Sequence, residues 1–368
     1  MKIIFGGAFN PIHNEHVGMM KYLLTLDGVD GVVVLPSANP PHKICDTSFA
    51  QRVDMIELAL DGVDGIEICD LESMDDGKHY TCEVLPRLKN IYKDIAFVIG
   101  GDSLEAFSTW KNPHDIIKIC RLYVFTRGRS SKFDEALEYW IGQGADIVVC
   151  DYHPKDVSST LIRYNAILGD YDGVCPQVAE YIKLNGLYVK YSDMISNLKS
   201  NIPQNTFEHC SRTAKYALWL NYMLDLGLDY DKVLLAGLFH DCAKALCHLQ
   251  HSTECVPSDS VGTPVEHQFL GAVIAQEKYG IDDKEVLEAI KYHTTGKKSM
   301  NDLQKLIFCA DMLEFGRRYP EVDYLRQCIS KSLDCGYREC ALAQYEFLKQ
   351  KGGAIYPLTL ESIEEFKI

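Results

Sequence analysis

The sequence lacks the features that mark secreted and membrane proteins. It has no run approaching the roughly 18 consecutive apolar residues that a spanning helix needs, and its first apolar run is broken by Gly6-Gly7 before a signal-peptide core could form. The 14 cysteines are scattered, with no Cys-x-x-Cys pair, which favours reduced thiols over disulfides. These absences predict a cytoplasmic protein without a membrane segment.

A surplus of positive charge is also missing. The chain has 37 Lys and Arg against 52 Asp and Glu, a net charge of −15, and both halves are acidic. Nucleic acids and anionic lipid surfaces are therefore not expected as partners. An anionic small molecule would have to be held by a few local cations, helix N-termini or metal ions.

The chain of 368 residues is long enough for two domains. In its first half, β-branched runs alternate with amphipathic stretches, which predicts a doubly wound α/β domain over residues 1–190, with a parallel sheet covered on both faces. The predicted strands are Lys2–Phe5, Gly31–Leu35, Gly65–Ile68, Ile95–Ile99, Arg121–Phe125 and Asp146–Val149. The predicted helices are Val17–Leu26, Phe49–Leu60, Tyr80–Ile91, Ser158–Leu168 and Pro176–Leu184. A ligand should bind at the carboxyl ends of these strands.

The pattern changes beyond a polar joint around Lys190–Ser192. The β-branched runs disappear, and apolar residues three and four apart recur from Phe207 to beyond Lys349, as in amphipathic helices. The sequence contains no internal repeat and no low-complexity tract. We therefore predict an all-helical second domain over residues 191–368.

A glycine-rich turn with two histidines follows the first predicted strand. The run is Gly6-Gly7-Ala8-Phe9-Asn10-Pro11-Ile12-His13-Asn14-Glu15-His16, and it leads into an amphipathic helix. Glycine lets backbone approach a polyphosphate closely, and a helix N-terminus offers free N–H groups with partial positive charge. Two histidines at that helix start would add cationic donors. Alone, a Gly-Gly pair more often marks an ordinary turn.

Three further motifs lie just past predicted strands, where a doubly wound sheet binds its ligand. They are Pro40-Pro41-His42-Lys43, Gly100-Gly101-Asp102-Ser103 with Trp110 beyond it, and Ser158-Ser159-Thr160-Leu161-Ile162-Arg163. With the glycine-rich turn, and in this order, they make about the first 190 residues resemble the bacterial nicotinate-nucleotide adenylyltransferases. Two positions depart from the family pattern: Glu15 stands where glycine is usual, and His79 stands where serine usually precedes Tyr80-Thr81.

The resemblance implies that the phosphate of nicotinate mononucleotide attacks the α-phosphorus of ATP and that pyrophosphate leaves. No protein nucleophile is required, so catalysis is positioning and charge neutralisation. His13, His16 and Arg163 are the implied catalytic residues, with Mg²⁺ bridging the phosphates. The implied ATP site comprises Gly7, Ala8, Phe9, His13, His16, Gly101, Asp102, Ser159, Thr160 and Arg163. The implied nicotinate mononucleotide site comprises Asn10, Lys43, Thr81 and Trp110.

A sister nucleotidylyltransferase is the alternative within this fold. Such an enzyme would act on phosphopantetheine, or on a polyol phosphate with CTP. Trp110 and the Pro-Pro-His-Lys run favour a pyridine nucleotide, although packing in the core is the other interpretation of Trp110.

Histidines and aspartates recur on the predicted helices of the second domain. Asp241 continues an apolar stripe with Leu234 and Leu238, and His293 and Asp311 continue similar stripes. A buried imidazole alone is more often a hydrogen-bonded core residue, but several buried imidazoles and carboxylates together are costly unless a metal ion compensates them. Mixed ligands of these types suit iron, manganese or another divalent first-row metal. The candidate ligands are His209, His240, Asp241, His267, His293 and Asp311.

This half, from about Ser192 to Lys349, resembles the HD-domain phosphohydrolases, and among them the symmetrical bis(5′-nucleosyl)-tetraphosphatases. The segments that carry the resemblance are Ala236-Gly237-Leu238-Phe239-His240-Asp241-Cys242-Ala243-Lys244, Glu266-His267, Tyr292-His293-Thr294-Thr295-Gly296, and Ala310-Asp311-Met312-Leu313-Glu314 with Arg317. It implies one metal bound by His209, His240, Asp241 and Asp311, and a second bound by His267, His293 and the bridging Asp241. We expect Lys244, one turn past His240, to act in catalysis by neutralising substrate phosphate, and Arg317 either to do the same or to lie at the surface.

The sequence therefore predicts a bifunctional enzyme with two small-molecule activities. One would make nicotinate adenine dinucleotide from ATP and nicotinate mononucleotide with Mg²⁺. The other would cleave diadenosine tetraphosphate into two ADP with two divalent metals, iron being favoured over manganese. A homo-oligomer is compatible with these features. In the alternative, the helical domain senses nucleotides without turnover, but the presence of all six ligand positions favours catalysis.

Overall fold

The computed structural model describes residues 1–39, 45–74, 79–128, 130–247, 256–364 and 366. These residues form two compact units, Met1–Val189 and Lys190–Ile368. None of the described helices is both long enough and apolar enough to cross a membrane. Every cysteine in the described ranges is a free thiol.

The first unit contains a six-stranded parallel sheet. The strands are β1 (Lys2–Gly7), β2 (Gly31–Pro36), β3 (Ile66–Ile68), β4 (Ile95–Gly100), β5 (Arg121–Phe125) and β6 (Ile147–Val149). Their order across the sheet is β3-β2-β1-β4-β5-β6. Because the strand order reverses between β1 and β4, the crevice beyond the carboxyl ends of these two strands is the place where such sheets bind ligands.

Helices cover both faces of this sheet. They are α1 (Asn14–Leu24), α2 (Phe49–Leu60), α3 (Thr81–Tyr92), α4 (Gly101–Glu105), α5 (Pro113–Ile119), α6 (Ser131–Gly142), α7 (Ser159–Ile167) and α8 (Pro176–Leu184), with 3₁₀ turns at Leu71–Met74 and Phe107–Thr109. Side chains alternate between two cores: Ile3 and Phe5 enter one, and Ile4 enters the other. Such two-sided burial explains why the central strands β2, β1, β4 and β5 are apolar along most of their length.

The observed fold class is the predicted one, a doubly wound parallel sheet followed by an all-helical unit. The predicted strands and helices of the first unit are present, with ends shifted by up to three residues. The largest shift is in α1, which begins at Asn14 rather than Val17 because the His13 side chain caps it. Helices α4, α5 and α6 were not predicted.

The second unit is built from helices only. They are α9 (Ser192–Asn201), α10 (Gln204–Met223), α11 (Tyr230–Phe239), α12 (Glu266–Glu277), α13 (Lys284–Lys291), α14 (Asp302–Leu313), α15 (Val322–Ile329), α16 (Leu333–Gln350) and α17 (Pro357–Glu364). Gly237 lets α11 pack closely on α10, since a Cβ atom there would lie 2.7 Å from the Ala214 Cα atom. His240, just past the end of α11, lies with its Nε2 atom 3.2 Å from Nε2 of His209 in α10.

Candidate functional site

Residues 7–13, called the glycine turn below, connect β1 to α1. Phe9 has a φ of 48°, and a Cβ atom on Gly7 would lie 3.1 Å from the Phe9 ring, so a side chain at position 7 would crowd this ring. His13 and His16 then cap α1 reciprocally: the Nδ1 atom of each ring accepts a hydrogen bond from the backbone N–H of the other residue, at 3.3 Å. Their rings stack with centroids 3.5 Å apart. The turn thus holds two imidazoles at a helix N-terminus, where anions bind.

The protonation of His13 differs from the sequence expectation. Because its Nδ1 atom accepts a hydrogen bond, the ring proton of neutral His13 lies on Nε2. Burial, with a smaller contribution from Arg127, lowers the pKa of His13 to about 4. In the protein without a bound nucleotide, His13 is therefore a neutral N–H donor near pH 7, and its contact with a phosphate stays a prediction.

The motif after β6 contacts the glycine turn directly. Ser159 Oγ donates a hydrogen bond to the Pro11 carbonyl at 2.8 Å. The Arg163 guanidinium donates to the Asn10 carbonyl at 2.7 Å and to Thr160 Oγ1 at 3.3 Å. The structure therefore brings the arginine and the hydroxyl groups of this motif together with the turn after β1.

The Gly-Gly-Asp-Ser motif begins α4 at the end of β4, the strand beside β1. Gly101 packs closely on β5's end, since a Cβ atom there would lie 3.0 Å from Thr126 Oγ1. Asp102 is exposed at this edge of the sheet. Both residues therefore flank the point where the strand order reverses.

The residues implied in pyridine binding have different surroundings. Asn10 is buried, and its Oδ1 atom accepts hydrogen bonds from the hydroxyls of Thr47 at 2.7 Å and Tyr188 at 2.8 Å. The side-chain amide oxygen of Asn10 is therefore already hydrogen-bonded inside the protein. Lys43, with the rest of the Pro-Pro-His-Lys run, lies outside the described residues.

Lys111 joins the segment that contains Trp110 to the start of α3, where Thr81 lies. Thr81 is the first residue of α3. Lys111, next to Trp110, packs over the Tyr80 ring and forms an ion pair with Glu83 at 2.6 Å. The Trp110 ring is half-buried and lies 5.1 Å from the Phe107 ring, so it packs partly against the core, and its contact with a pyridine ring stays a prediction.

Two residues to which the sequence analysis gave no structural role support the turn. Arg52 is fully buried and donates hydrogen bonds to the carbonyls of Ala8 at 2.6 Å and Ala38 at 3.2 Å, joining the segments after β1 and β2. Glu15 accepts hydrogen bonds at one oxygen from the Tyr152 hydroxyl at 3.1 Å and the Lys155 N–H at 3.0 Å. The acidic side chain is therefore held against the segment after β6.

Six polar side chains meet in the second unit and are called the ligand cluster below. His209 and Asp311 lie within α10 and α14, and His267 is the second residue of α12. The other three lie in turns just past α11 and α13 rather than within helices. Each of the six belongs to at least one group of three residues whose ligand atoms lie within 4.8 Å of one another. The six are His209, His240, Asp241, His267, His293 and Asp311.

Backbone carbonyls orient three of the four imidazoles in the same way. Nδ1 of His240, His267 and His293 lies 2.7–2.8 Å from the carbonyl oxygen three residues earlier. A carbonyl only accepts, so each Nδ1 carries the proton and each Nε2 presents its lone pair to the cluster. Burial lowers the pKa of His240 and of His267 to about 4, which keeps these rings neutral.

The two carboxylate oxygens of Asp241 face different histidines. Oδ1 lies 3.4 Å from Nε2 of His267 and 3.5 Å from Nε2 of His293. Oδ2 lies 3.8 Å from Nε2 of His209 and 3.6 Å from Nε2 of His240. The carboxylate therefore lies between two pairs of imidazoles.

The cluster has the chemistry of a cation site. Asp241 Oδ1 is buried and has no hydrogen-bond partner among the described residues. Burial alone would raise the pKa of Asp241, but the neighbouring imidazoles, His240 first, and the Lys244 ammonium hold it well below its usual range. Asp311 also has a strongly lowered pKa, since the hydrogen bond with His209 outweighs its burial. Ionised carboxylates and neutral imidazoles fit divalent metal ions.

Lys244 and Arg317 each contact a carboxylate of the cluster. Lys244 Nζ donates to Asp241 Oδ2 at 2.7 Å, and its side chain is half exposed. Arg317 donates to Asp311 Oδ1 at 2.6 Å and is half-buried, so it is not a free surface side chain. Both cations therefore border the cluster, where an anionic substrate would approach.

Glu314 and Thr294 are neighbours of the cluster that the sequence did not assign. Glu314 is buried, lies 3.3 Å from Nδ1 of His209, and accepts a 2.8 Å hydrogen bond from Arg212. Burial raises its pKa, but these partners outweigh that effect and lower the pKa to about 2. Thr294 Oγ1 lies 3.0 Å from Nε2 of both His267 and His293. Such neighbours orient metal ligands.

Family models match each unit separately. The "Cytidylyltransferase-like" model matches residues 4–165, and the "HD domain" model matches residues 206–316. The first match includes the glycine turn and the motif after β6. The second includes the whole ligand cluster.

Several known proteins are similar to this chain. A Mycoplasma genitalium protein named "Probable nicotinate-nucleotide adenylyltransferase/Ap4A hydrolase" is 26% identical over 91% of this chain and 95% of its own length. A "Probable nicotinate-nucleotide adenylyltransferase" of Clostridium acetobutylicum is 35% identical over 51% of this chain and 98% of its own length. A crystal structure of a "predicted HD superfamily hydrolase involved in NAD metabolism" from the same organism is 29% identical, with a TM-score of 0.44, over 48% of this chain and 95% of that one.

Proposed function

Because this chain belongs to the nicotinate-nucleotide adenylyltransferase family and carries an HD domain, we propose that it is a bifunctional enzyme. Residues 1–190 would transfer AMP from ATP to nicotinate mononucleotide, and residues 191–368 would hydrolyse diadenosine tetraphosphate symmetrically. The similarity to the Mycoplasma genitalium protein over 91% of the chain supports the combination. We also propose that the enzyme acts in the cytoplasm.

The adenylyltransfer activity is supported by the contact between the glycine turn and the motif after β6. Arg163 carries a fixed positive charge beside the turn, and His13 and His16 add N–H donors at the start of α1. These groups can hold the triphosphate of MgATP, with His16 nearest the transferring phosphoryl group, while the phosphate of nicotinate mononucleotide attacks. Charge that develops on the departing pyrophosphate would be neutralised by Arg163.

The hydrolase activity is supported above all by the position of Asp241 between two pairs of imidazoles. His209, His240, Asp241 and Asp311 would hold one divalent cation, and His267, His293 and Asp241 a second. Two such cations supply Lewis-acid polarisation of a phosphate and activation of water. Imidazole and carboxylate ligands favour iron, with manganese as the alternative. Lys244 and Arg317 would neutralise the phosphate chain at the edge of the cluster.

The two activities can be tested in one protein. Purified enzyme should convert nicotinate mononucleotide and MgATP to nicotinate adenine dinucleotide, and should release ADP from diadenosine tetraphosphate when manganese or ferrous iron is present. His16→Ala should reduce the first activity by about 100-fold or more and spare the second. Asp241→Asn should abolish the release of ADP and spare the synthesis of nicotinate adenine dinucleotide. Bound metal without ADP release would favour a nucleotide sensor in the second unit, and near-normal synthesis by both His16→Ala and Arg163→Ala would contradict the first assignment.

A further inference from the structure

A pocket of about 640 Å³ lies in the second unit between α16 and the segment that follows α14. Its volume falls within the range of small-molecule sites, about 300–1,000 Å³. Met312, Tyr319 and Phe347 supply an apolar lining, and the Phe347 side chain is 54% exposed. A flat apolar group could therefore pack inside it.

Two of the residues lining this pocket also contact the ligand cluster or its neighbour. Arg317 donates to Asp311 Oδ1 at 2.6 Å, and its guanidinium lies 3.5 Å from Nε2 of His209. Gln344 donates to the Thr294 carbonyl at 2.6 Å, and the hydroxyl of Thr294 lies 3.0 Å from Nε2 of His267 and His293. Arg317 and Gln344 therefore lie between the pocket and the two halves of the cluster.

Charge changes sign along the pocket. Arg317 lies on the side of the cluster, whereas the exposed carboxylates of Glu321 and Glu346 line other parts of the pocket. A chain of phosphates would be repelled by these carboxylates and attracted by Arg317. An uncharged group with hydrogen-bond donors, attached to that chain, suits the remaining surface.

We propose that this pocket binds a nucleoside of the substrate, with the base against Phe347 and Tyr319 and the phosphate chain passing Arg317 to the ligand cluster. This inference rests on the hydrolase function proposed above. It makes Phe347 a binding residue with no contact to the reacting phosphate. The pocket would then determine which phosphate of the substrate reaches the cluster.

The test measures hydrolysis of diadenosine tetraphosphate by the metal-loaded full-length enzyme, with ADP and inorganic pyrophosphate as competing inhibitors. Phe347→Ala should raise the KM for the dinucleotide and the Ki for ADP by about ten-fold, with the Ki for pyrophosphate and the metal content unchanged. Ala343→Trp, which fills the pocket, should have the same effect. Tyr324→Ala is the matched control, since Tyr324 is 55% exposed and does not line the pocket.

The outcomes separate the two proposals. If the wild-type enzyme hydrolyses the dinucleotide and both pocket variants keep its KM and the Ki for ADP, the nucleoside pocket is wrong while the hydrolase assignment stands. An equal increase of both Ki values would also overturn it, because the variants would then have disturbed phosphate binding. If the wild-type enzyme does not hydrolyse the dinucleotide, both proposals fail.

Discussion

Asp241 and Lys244 are hydrogen-bonded to each other, yet their substitution should have different consequences. Asp241→Asn replaces a carboxylate that can give one oxygen to each of two cations with an amide that has one good acceptor. We expect the variant to lose hydrolysis and bound metal. Lys244→Ala removes a half-exposed cation and no metal ligand, so it should mainly raise KM, with the metal retained.

Metal analysis and steady-state kinetics on the two purified variants check this prediction, and Asp241→Glu serves as a charge-retaining control. Full metal occupancy together with normal hydrolysis in Asp241→Asn would be incompatible with a bridging role for this residue. In that case hydrolysis would not depend on a metal held by Asp241, and the assignment of the ligand cluster as a two-metal site would be wrong.

At the scale of single residues, the sequence reveals polar side chains that occupy positions on an otherwise apolar helix face. Asp241, His293 and Asp311 are identifiable because polar residues there continue apolar stripes. Arg52 and Glu314 lie in segments where a charged residue is ordinary. Their burial depends on distant contacts: Arg52 bonds to Ala8, 44 positions away, and Glu314 to Arg212, 102 positions away. The neutral state of His13 could not be predicted for the same reason, because its lowered pKa is caused by burial.

Among the structural elements, the segment 151–157 depends on Glu15. One Glu15 oxygen accepts two hydrogen bonds from this segment, and Gly18 leaves space for Tyr152, since a Cβ atom at Gly18 would lie 2.2 Å from the Tyr152 hydroxyl. Glu15→Ala should therefore loosen the segment that leads into α7. Because α7 carries Ser159 and Arg163, we expect the KM for ATP to rise about five-fold or more, in line with the loss of buried hydrogen bonds.

Glu15→Gln is the matched variant, since its amide oxygen can accept the same two hydrogen bonds. It should retain a KM for ATP close to that of the wild type. Hydrogen exchange of residues 151–157 should increase in Glu15→Ala only. Unchanged exchange in Glu15→Ala would show that other contacts hold the segment.

Helices and strands were predictable where their pattern was long and regular. The strands of the first unit were identifiable as buried apolar runs, and α2 and α8 have the predicted bounds. Helix α4 has only five residues, too few to show a helical period. Asp241 and His293 continue the stripes of α11 and α13 into the turns that follow, so the pattern indicated the correct face but not the end of each helix.

For the whole molecule, we expect the two halves to fold and act separately. Each compact unit, Met1–Val189 and Lys190–Ile368, has its own core and its own set of candidate site residues. Expressed separately, the first should make nicotinate adenine dinucleotide and the second should cleave diadenosine tetraphosphate. Circular dichroism and the two assays check this expectation. Insoluble or inactive halves beside an active full-length chain would mean that the units depend on each other.

The buried Asp241 Oδ1 atom, which has no hydrogen-bond partner in the part of the chain that the structure describes, also has a thermodynamic consequence. A buried acceptor left unsatisfied costs about 1–3 kcal/mol, and cations that bind only the folded state stabilise it by mass action. Calorimetry of the full-length protein should therefore show that a chelator lowers the melting temperature of the second unit and leaves that of the first unchanged, with recovery when manganese is added back. The amount of folded second unit would then depend on the supply of metal in the cell.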